Sequence, residues 1–280
     1  MKESPATSQP AFTAPPVALT IAGSDCSGGA GIQADLKTFQ LLGVHGTSAL
    51  TCAVSECPGI VESIEALPPE FTASQAALIL KHYPVGAIKT GMLLSPAHIE
   101  ALLPLLSERP APLVVDPVMI ASSGDALVEL DAVELISNKL CQLATLITPN
   151  LHELAALTGT PLATDEESAT AAAKQLTETS GAAVLAKGGH FDNSDEATDL
   201  LVLTGGSVIR FTGRRIDGVS THGTGCTLSA AIAAGLAHGL PVQEAVAKGK
   251  KVISTAIRTS HRWQDGENEL QALNLLASHH

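Results

Sequence analysis

Gly223-Thr224-Gly225-Cys226 stands directly before an Ala-rich run that reaches Gly235. The two glycines permit a tight turn and close backbone approach. The run predicts a helix from about Thr224, and a helix start leaves N–H groups without intrahelical partners, aimed at one spot. Such a turn binds anions, and a phosphoryl group in transfer would have its charge stabilised there. A thiol in the same field is expected to ionise more easily than usual and to act as base or nucleophile. The same letters also fit a tight loop capped by Thr224, with Cys226 as a small buried residue. A cysteine hydrolase would need a partnered histidine; His222 is near in sequence, which does not make it near in space.

Gly23–Phe39, GSDCSGGAGIQADLKTF, is the second rich stretch. Gly29 to Ala34 fits G-x-G-x-x-A, the dinucleotide fingerprint. In a dinucleotide crossover the glycines follow the strand almost at once, whereas here Ser24, Asp25, Cys26 and Ser27 intervene. A small-molecule pocket closed by a glycine loop explains these residues better. No G-x-x-x-x-G-K-[ST] occurs, which excludes a P-loop. Lys187, in KGGH, ends an apolar run and would meet a nucleotide phosphate as a point charge; a solvated strand-end lysine is the plainer alternative. Asn150 and Glu153, in TPNLHEL, are three apart and share one face of a starting helix. Their oxygens suit Mg²⁺ held through waters, and equally suit an N-cap with its N3 partner. Position 156 is Ala, so H-E-x-x-H is absent, and no zinc site is expected.

These residues need elements to hold them. Short apolar runs (VALTIAG, TSALTCAV, VGAIKTGM, PLVVDPVM, ATLITPN, AAVLAKGG) alternate with helical patterns. The rhythm predicts an α/β fold, a mostly parallel sheet with helices on both faces. Ligands of such sheets sit outside the carboxyl ends of the strands. The polar run-endings therefore converge on one rim: Gly23-Ser24-Asp25, Lys89 to Met92, Asp116-Pro117-Val118, Thr148 to Asn150, and Lys187 onward. LLVLTGGSVIRF, within Asp199–Phe211, predicts an antiparallel hairpin on a Gly-Gly turn. Ser95 and Pro96 predict an N-cap and first helical residue. Two helices, from about Thr224 and about Val242, close the chain. Residues 1–16 read as a flexible tail, 17–260 as a single domain, and 261–280 as a second tail.

Of the 280 residues 45% are hydrophobic, enough for a sizeable core. The net charge of −12 argues against nucleic-acid or anionic-membrane partners. Aromatics at 2% argue against base-stacking platforms. Five scattered cysteines without a C-x-x-C pair point to reduced thiols and a cytoplasmic protein. The N-terminus lacks the apolar segment of a signal peptide, and the longest apolar run, around Leu228–Leu240, is too short to span a bilayer.

Taken in order, ALTIAGSDCSGGAGIQADLKTF, KTGML, VVDPVM, LITPNLHE, LAKGGH and THGTGCTLSAAIAAGL closely resemble the hydroxymethylpyrimidine/phosphomethylpyrimidine kinases of thiamine biosynthesis, within the ribokinase-like superfamily. The resemblance runs from about Val17 to Arg258. It implies a ribokinase-like fold, ATP and Mg²⁺, and two successive phosphoryl transfers to one small pyrimidine: to its hydroxymethyl oxygen, then onto the monophosphate. It implies Cys226 at the catalytic position, where many relatives outside the family carry Asp. Gly223, Thr224 and Gly225 would form the anion hole, Lys187 would meet the ATP phosphates, and Asn150 and Glu153 would be the magnesium-associated pair. Gly23, Asp35, Val54, Glu56, Met92 and Val118 would line the pyrimidine pocket. A homodimer is the family's expected assembly.

One position departs from the pattern. The best-known members carry Gln where this chain has Glu56. Gln offers an acceptor and a donor to an aminopyrimidine edge, while an ionised carboxylate offers acceptors only. Glu56 would then take the exocyclic amine and a protonated ring nitrogen, or be protonated itself, or mark a different substrate, or simply face solvent. Three other readings stay open beside the main one. They are a pyridoxal or pyridoxine kinase, a dinucleotide-binding oxidoreductase resting on Gly29–Ala34 with Glu56 on the ribose, and a non-catalytic vitamin-binding regulator.

Overall fold

The computed structural model describes residues 14–108, 111–119, 130–188, 196–216, 218, 222–266 and 268–279. Most of the expected N-terminal tail, residues 1–13, lies outside them. So do residues 189–195 of the polar stretch GHFDNSDEATD.

The strands are β1 (Val17–Asp25), β2 (His45–Cys57), β3 (Ile60–Ala66), β4 (Val85–Thr90), β5 (Leu113–Val115), β6 (Leu146–Ile147), β7 (Ala183–Lys187), β8 (Glu196–Val202), β9 (Val208–Arg214), β10 (His261–Asp265) and β11 (Asn268–Ala272). The helices are α1 (Gly31–Leu41), α2 (Pro69–His82), α3 (Pro96–Ser107), α4 (Leu130–Leu135), α5 (Leu151–Thr158), α6 (Glu166–Ser180), α7 (Thr224–Ala237) and α8 (Val242–Arg258). Among the described residues, nine strands form one sheet in the order β3-β2-β1-β4-β5-β6-β7-β8-β9. The pairs from β2 through β7 are parallel, and antiparallel strands finish both edges.

The central strands are apolar on both faces because both are covered. Leu19, Ile21, Ile88, Leu113, Val115, Ile147 and Val184 point to one core, and Ala18, Ala87, Val114, Leu146, Ala183 and Leu185 to the other. The alternation has the strand period of two. On the second face the strand residues at the centre are small, and so is the helix that lies on them. Ala230, Ala233 and Ala234 of α7 are fully buried there. Gly86 of β4 leaves room for the end of α7: a Cβ on it would lie 3.2 Å from the Ala237 carbonyl oxygen. The Ala-rich composition of α7 thus seats it against the sheet, with its N-terminus beside the ends of β4 and β5.

The mostly parallel sheet, the β8–β9 hairpin and the starts of α7 and α8 agree with the sequence. Ser95 occupies the N-cap of α3, yet its hydroxyl bonds the His98 ring at 2.8 Å instead of capping a backbone N–H. Strand β3 carries no signal strong enough to foresee: it is an edge strand, exposed on both faces. His261–Asp265 and Asn268–Ala272, expected as tail, instead pair as the antiparallel strands β10 and β11. Their segment is polar, so no apolar alternation marks it; Leu273 packs behind it against the core, and Asn274 N–H donates to Ala256 O at 3.2 Å. No helix among the described residues is long and apolar enough to cross a membrane.

Candidate active site

The carboxyl ends of the parallel strands open onto one cavity of about 760 Å³. One part of its wall is made by Gly23, Val54, Glu56, Met92 and Val118. Across it lie Gly223, Thr224, Gly225 and Cys226, where α7 begins. Lys187, Asn150 and Glu153 face the same space. Beyond the turn the cavity continues between Asp199, Lys250, Leu228, Ile253 and Ile257.

Asp35 is the exception among the residues expected to line the pocket. It sits on the inner face of α1 and is completely buried beneath the floor. Its carboxylate accepts two bonds from Lys89 Nζ, at 3.0 and 2.8 Å, and one from Thr20 Oγ1 at 2.6 Å. Lys89, in turn, lines the cavity from below. Burial opposes the lysine's charge, but Asp35 and the surrounding acidic groups outweigh it and hold the ammonium protonated.

The glycine turn is built as expected. Gly223 has φ +75°, the left-handed region, and a Cβ there would lie 1.9 Å from Gly29 O. Only glycine fits. A Cβ on Gly225 would lie 3.2 Å from Lys187 Nζ, so the space before the helix N-terminus is bounded by that cation. Cys226 does not behave as expected. Burial pushes its thiol up to about 11; Lys89 and a hydrogen bond from the Gly31 N–H oppose this, while Asp35 and Asp116 add to it. The helix-terminus field is overcome by desolvation and by two carboxylates. His222 directs its Nε2 to Asp25 Oδ2 at 2.9 Å.

Lys187 is no solvated strand end. Its Nζ lies 2.9 Å from Asp116 Oδ1 and 3.9 Å from Glu153 Oε2. Burial opposes its charge, yet Asp116 and Glu153 keep it protonated. Asn150 and Glu153 form a reciprocal capping box on α5: Glu153 N–H donates to Asn150 Oδ1 at 2.8 Å, and Asn150 N–H to Glu153 Oε2 at 2.7 Å. Burial, with Asp116 nearby, raises the Glu153 carboxyl to about 7. Glu56 is also raised, by burial first and by Asp25 second, against an opposing effect of His222.

The loop after β1 explains why the dinucleotide pattern fails. Ser27 N–H donates to Asp25 Oδ1 at 2.7 Å, and Gly29 and Ala30 N–H donate to Asp25 Oδ2 at 3.1 and 2.7 Å. The backbone donors that would cradle a pyrophosphate are filled by the chain's own carboxylate.

Lys89, Asp116, Asp25 and the Asp199–Lys250 pair (2.7 Å) were not singled out by their residue types. Lys89, Asp116 and Asp25 do stand at the ends of apolar runs, and that position is the signal that would find them. The pair has no comparable signal, because Lys250 lies mid-helix.

The cavity combines fixed charge at Lys187, Asp116 and Glu153, suited to a phosphoryl group, with a wall of Gly23, Val54, Glu56, Met92 and Val118 suited to a small polar acceptor, as in a small-molecule kinase. A family model described as phosphomethylpyrimidine kinase matches residues 25–271, and the chain belongs to that family. It is 44% identical over 251 residues to a hydroxymethylpyrimidine/phosphomethylpyrimidine kinase of Rhizobium meliloti, covering 90% of this chain and 94% of that one. An ADP complex of Bacillus subtilis pyridoxal kinase superposes with a TM-score of 0.86 at 34% identity, over 94% of this chain and 98% of that chain. A phosphomethylpyrimidine kinase from Clostridium difficile gives a TM-score of 0.75 at 37% identity, over 86% and 99%. The chain is accordingly an ATP-dependent kinase of ribokinase-like fold.

Proposed function

We propose that the chain transfers the terminal phosphoryl group of ATP to 4-amino-5-hydroxymethyl-2-methylpyrimidine, and then to the resulting monophosphate, in thiamine biosynthesis. The observation that supports this most is the sharing of one cavity by the apolar corner at Gly23, Val54, Met92 and Val118 and the Gly223–Cys226 turn. The acceptor alcohol in that corner faces the helix N-terminus where the transferring group would sit. Phosphoryl transfer asks the protein mainly for positioning and charge neutralisation. The N–H groups of the turn and the Lys187 ammonium hold the phosphoryl oxygens. Leu228, Ile253 and Ile257 offer the nucleoside an apolar seat.

Mg²⁺ fits the donors present. Among the described residues Asp116 Oδ2 is buried without a hydrogen-bond partner, close to Gly225, and Glu153 shares the Lys187 ammonium with it. Hard oxygen donors in small number, with water completing the shell, suit this ion. Among the described residues no group of three or more His, Cys, Asp or Glu is placed to hold a metal. Asp116 and Glu153 would therefore hold it with water and nucleotide, with the side-chain oxygen of Asn150 committed to its cap. When bound, the ion neutralises charge on the nucleotide phosphates.

Cys226 stands beside the acceptor and receives its proton, as the thiolate or late in the transfer. In the second transfer the acceptor is already a phosphate oxygen, so a base matters less. The reading extends to a homodimer in the cytoplasm, with light scattering as the test of the dimer. Substrate-dependent ATP consumption tests the activity, with the aminopyrimidine alcohol and pyridoxal compared side by side. Pyridoxal is the second reading, favoured by the extent of superposition on the Bacillus subtilis pyridoxal kinase. Turnover with the aminopyrimidine alcohol well above pyridoxal is the expected result; the reverse would move the chain to the second reading.

A further inference from the structure

We propose that Asp25 and His222 form a latch that fixes the Gly223–Cys226 turn over the acceptor pocket, and that both act as positioning residues for phosphoryl transfer. The inference rests on the reading of that turn as an anion hole.

The two residues are 197 positions apart in the chain, and both are buried. Asp25 ends β1 at the pocket; His222 immediately precedes the turn. Among the described residues the carboxylate accepts three backbone N–H bonds and the Ser27 side-chain bond from its own loop, and one bond from the His222 ring at 2.9 Å. Burial alone would raise Asp25, but these donors hold it well below the usual carboxylate range. It is therefore ionised and accepts only, so His222 Nε2 carries a proton.

The loops touch at further points along the same seam. A Cβ on Gly29 would lie 2.8 Å from His222 Cδ2, one on Gly223 would meet Gly29 O, and the Gly31 N–H bonds the Cys226 sulfur. The loop that walls the acceptor pocket and the turn that receives the phosphoryl group are therefore packed along one seam, and the Asp25–His222 bond is the side-chain hydrogen bond that fixes their register. Among the described residues every donor to the Asp25 carboxylate belongs to one of these two loops. A pair that served stability alone would have no need to join the two halves of the reacting geometry. Displacement of a catalytic group by about 1 Å lowers a rate by about 10²-fold.

Four variants test the latch: His222→Ala, His222→Gln, Asp25→Asn and, as reference, Gly225→Ala, which narrows the turn itself. Each is measured for kcat and KM with ATP–Mg²⁺ and the aminopyrimidine alcohol, for affinity toward a non-hydrolysable ATP analogue, and for thermal midpoint. His222→Ala and Asp25→Asn are expected to lose about 10²-fold in kcat, the size of a misplaced anion-hole donor, with analogue affinity unchanged. His222→Gln, whose amide N–H reaches the same acceptor, is expected to recover most of kcat. Wild-type kcat in His222→Ala with an inactive Gly225→Ala would overturn the latch and leave the anion hole standing. Full activity in Gly225→Ala would remove the anion hole, and the latch with it. Glutamine no better than alanine, or losses shared evenly by kcat and analogue affinity, would reduce the pair to a structural role. If His222→Ala does not fold, His222→Asn, whose donor is one methylene short, replaces it under the same criteria.

Discussion

Lys89 and Asp35 form an ion pair with no side-chain exposure on either partner, at 2.8 Å, directly under the reacting corner of the cavity. Removing one partner strands a buried charge. Asp35→Asn is expected to lower unfolding free energy by about 3–5 kcal/mol, the range for a broken buried pair. Lys89→Met combined with Asp35→Leu is expected to regain most of it, because well-packed apolar groups replace such pairs at little loss. Urea denaturation midpoints with unchanged slopes check both values. A single variant as stable as wild type would show that the pair is relaxed by water.

The thiol of Cys226, raised to about 11 by burial, is protonated in the free enzyme near neutrality. If the thiolate receives the substrate proton, its population climbs as pH rises toward that value. For the first transfer kcat is then expected to increase roughly tenfold per pH unit on the alkaline side of neutrality. Cys226→Asp, whose carboxyl ionises at lower pH than the thiol, is expected to flatten the profile on that alkaline side, and Cys226→Ala to lose about 10²-fold or more. The second transfer should respond less to either change. A flat wild-type profile, or near-normal turnover in Cys226→Ala, would take the sulfur out of the chemistry.

How much of this was legible in the letters depends on the range of each interaction. The endings of the apolar runs placed Asp25, Lys89, Asp116, Asn150 and Lys187 on one rim, because strand polarity is a local property. The turn at Gly223 was legible for the same reason: glycine pattern and helix start lie side by side. What the letters withhold is the direction in which a side chain points through the sheet. Asp35 and Lys89 are 54 residues apart, and their pairing turned an expected pocket residue into the support of one. The sign of the Cys226 shift is not legible locally, because the field of the helix start says nothing of the burial that the whole fold imposes. Asn150 and Glu153 satisfied their local capping pattern as written, and only the nearness of Lys187 and Asp116 gives Glu153 a second use.

Glu56 tests whether the departure from the family's Gln alters recognition. Burial raises its carboxyl, so it is protonated to a higher pH than an exposed glutamate. A protonated Glu56 offers a donor and an acceptor, as Gln does. The KM of the wild type for the aminopyrimidine alcohol is then expected to rise as pH increases through the raised value, while Glu56→Gln stays flat and matches wild type in acid. Steady-state kinetics across that range separate the cases. A Glu56→Gln variant with a higher KM at every pH would show instead that an ionised glutamate pairs with a protonated ring nitrogen.

Asp25 predicts how stability follows pH. Its carboxyl is lowered in the folded protein from an ordinary value of 3.8, because the donors from His222, Ser27 and Ala30 outweigh burial. A carboxyl depressed on folding contributes stability that is complete above its unfolded value and lost as pH falls toward its folded one. Asp25→Asn is therefore expected to be less stable than wild type by about 1.5–3 kcal/mol near neutrality, as for a hydrogen bond to a charged group. The difference should narrow once pH drops below the ordinary carboxylate range, where the unfolded wild type takes up a proton that the folded form resists. Thermal midpoints of the two proteins over an acid series measure that gap. A gap that persists undiminished into strong acid would mean that the loop is held by shape alone, with no contribution from the charge on Asp25.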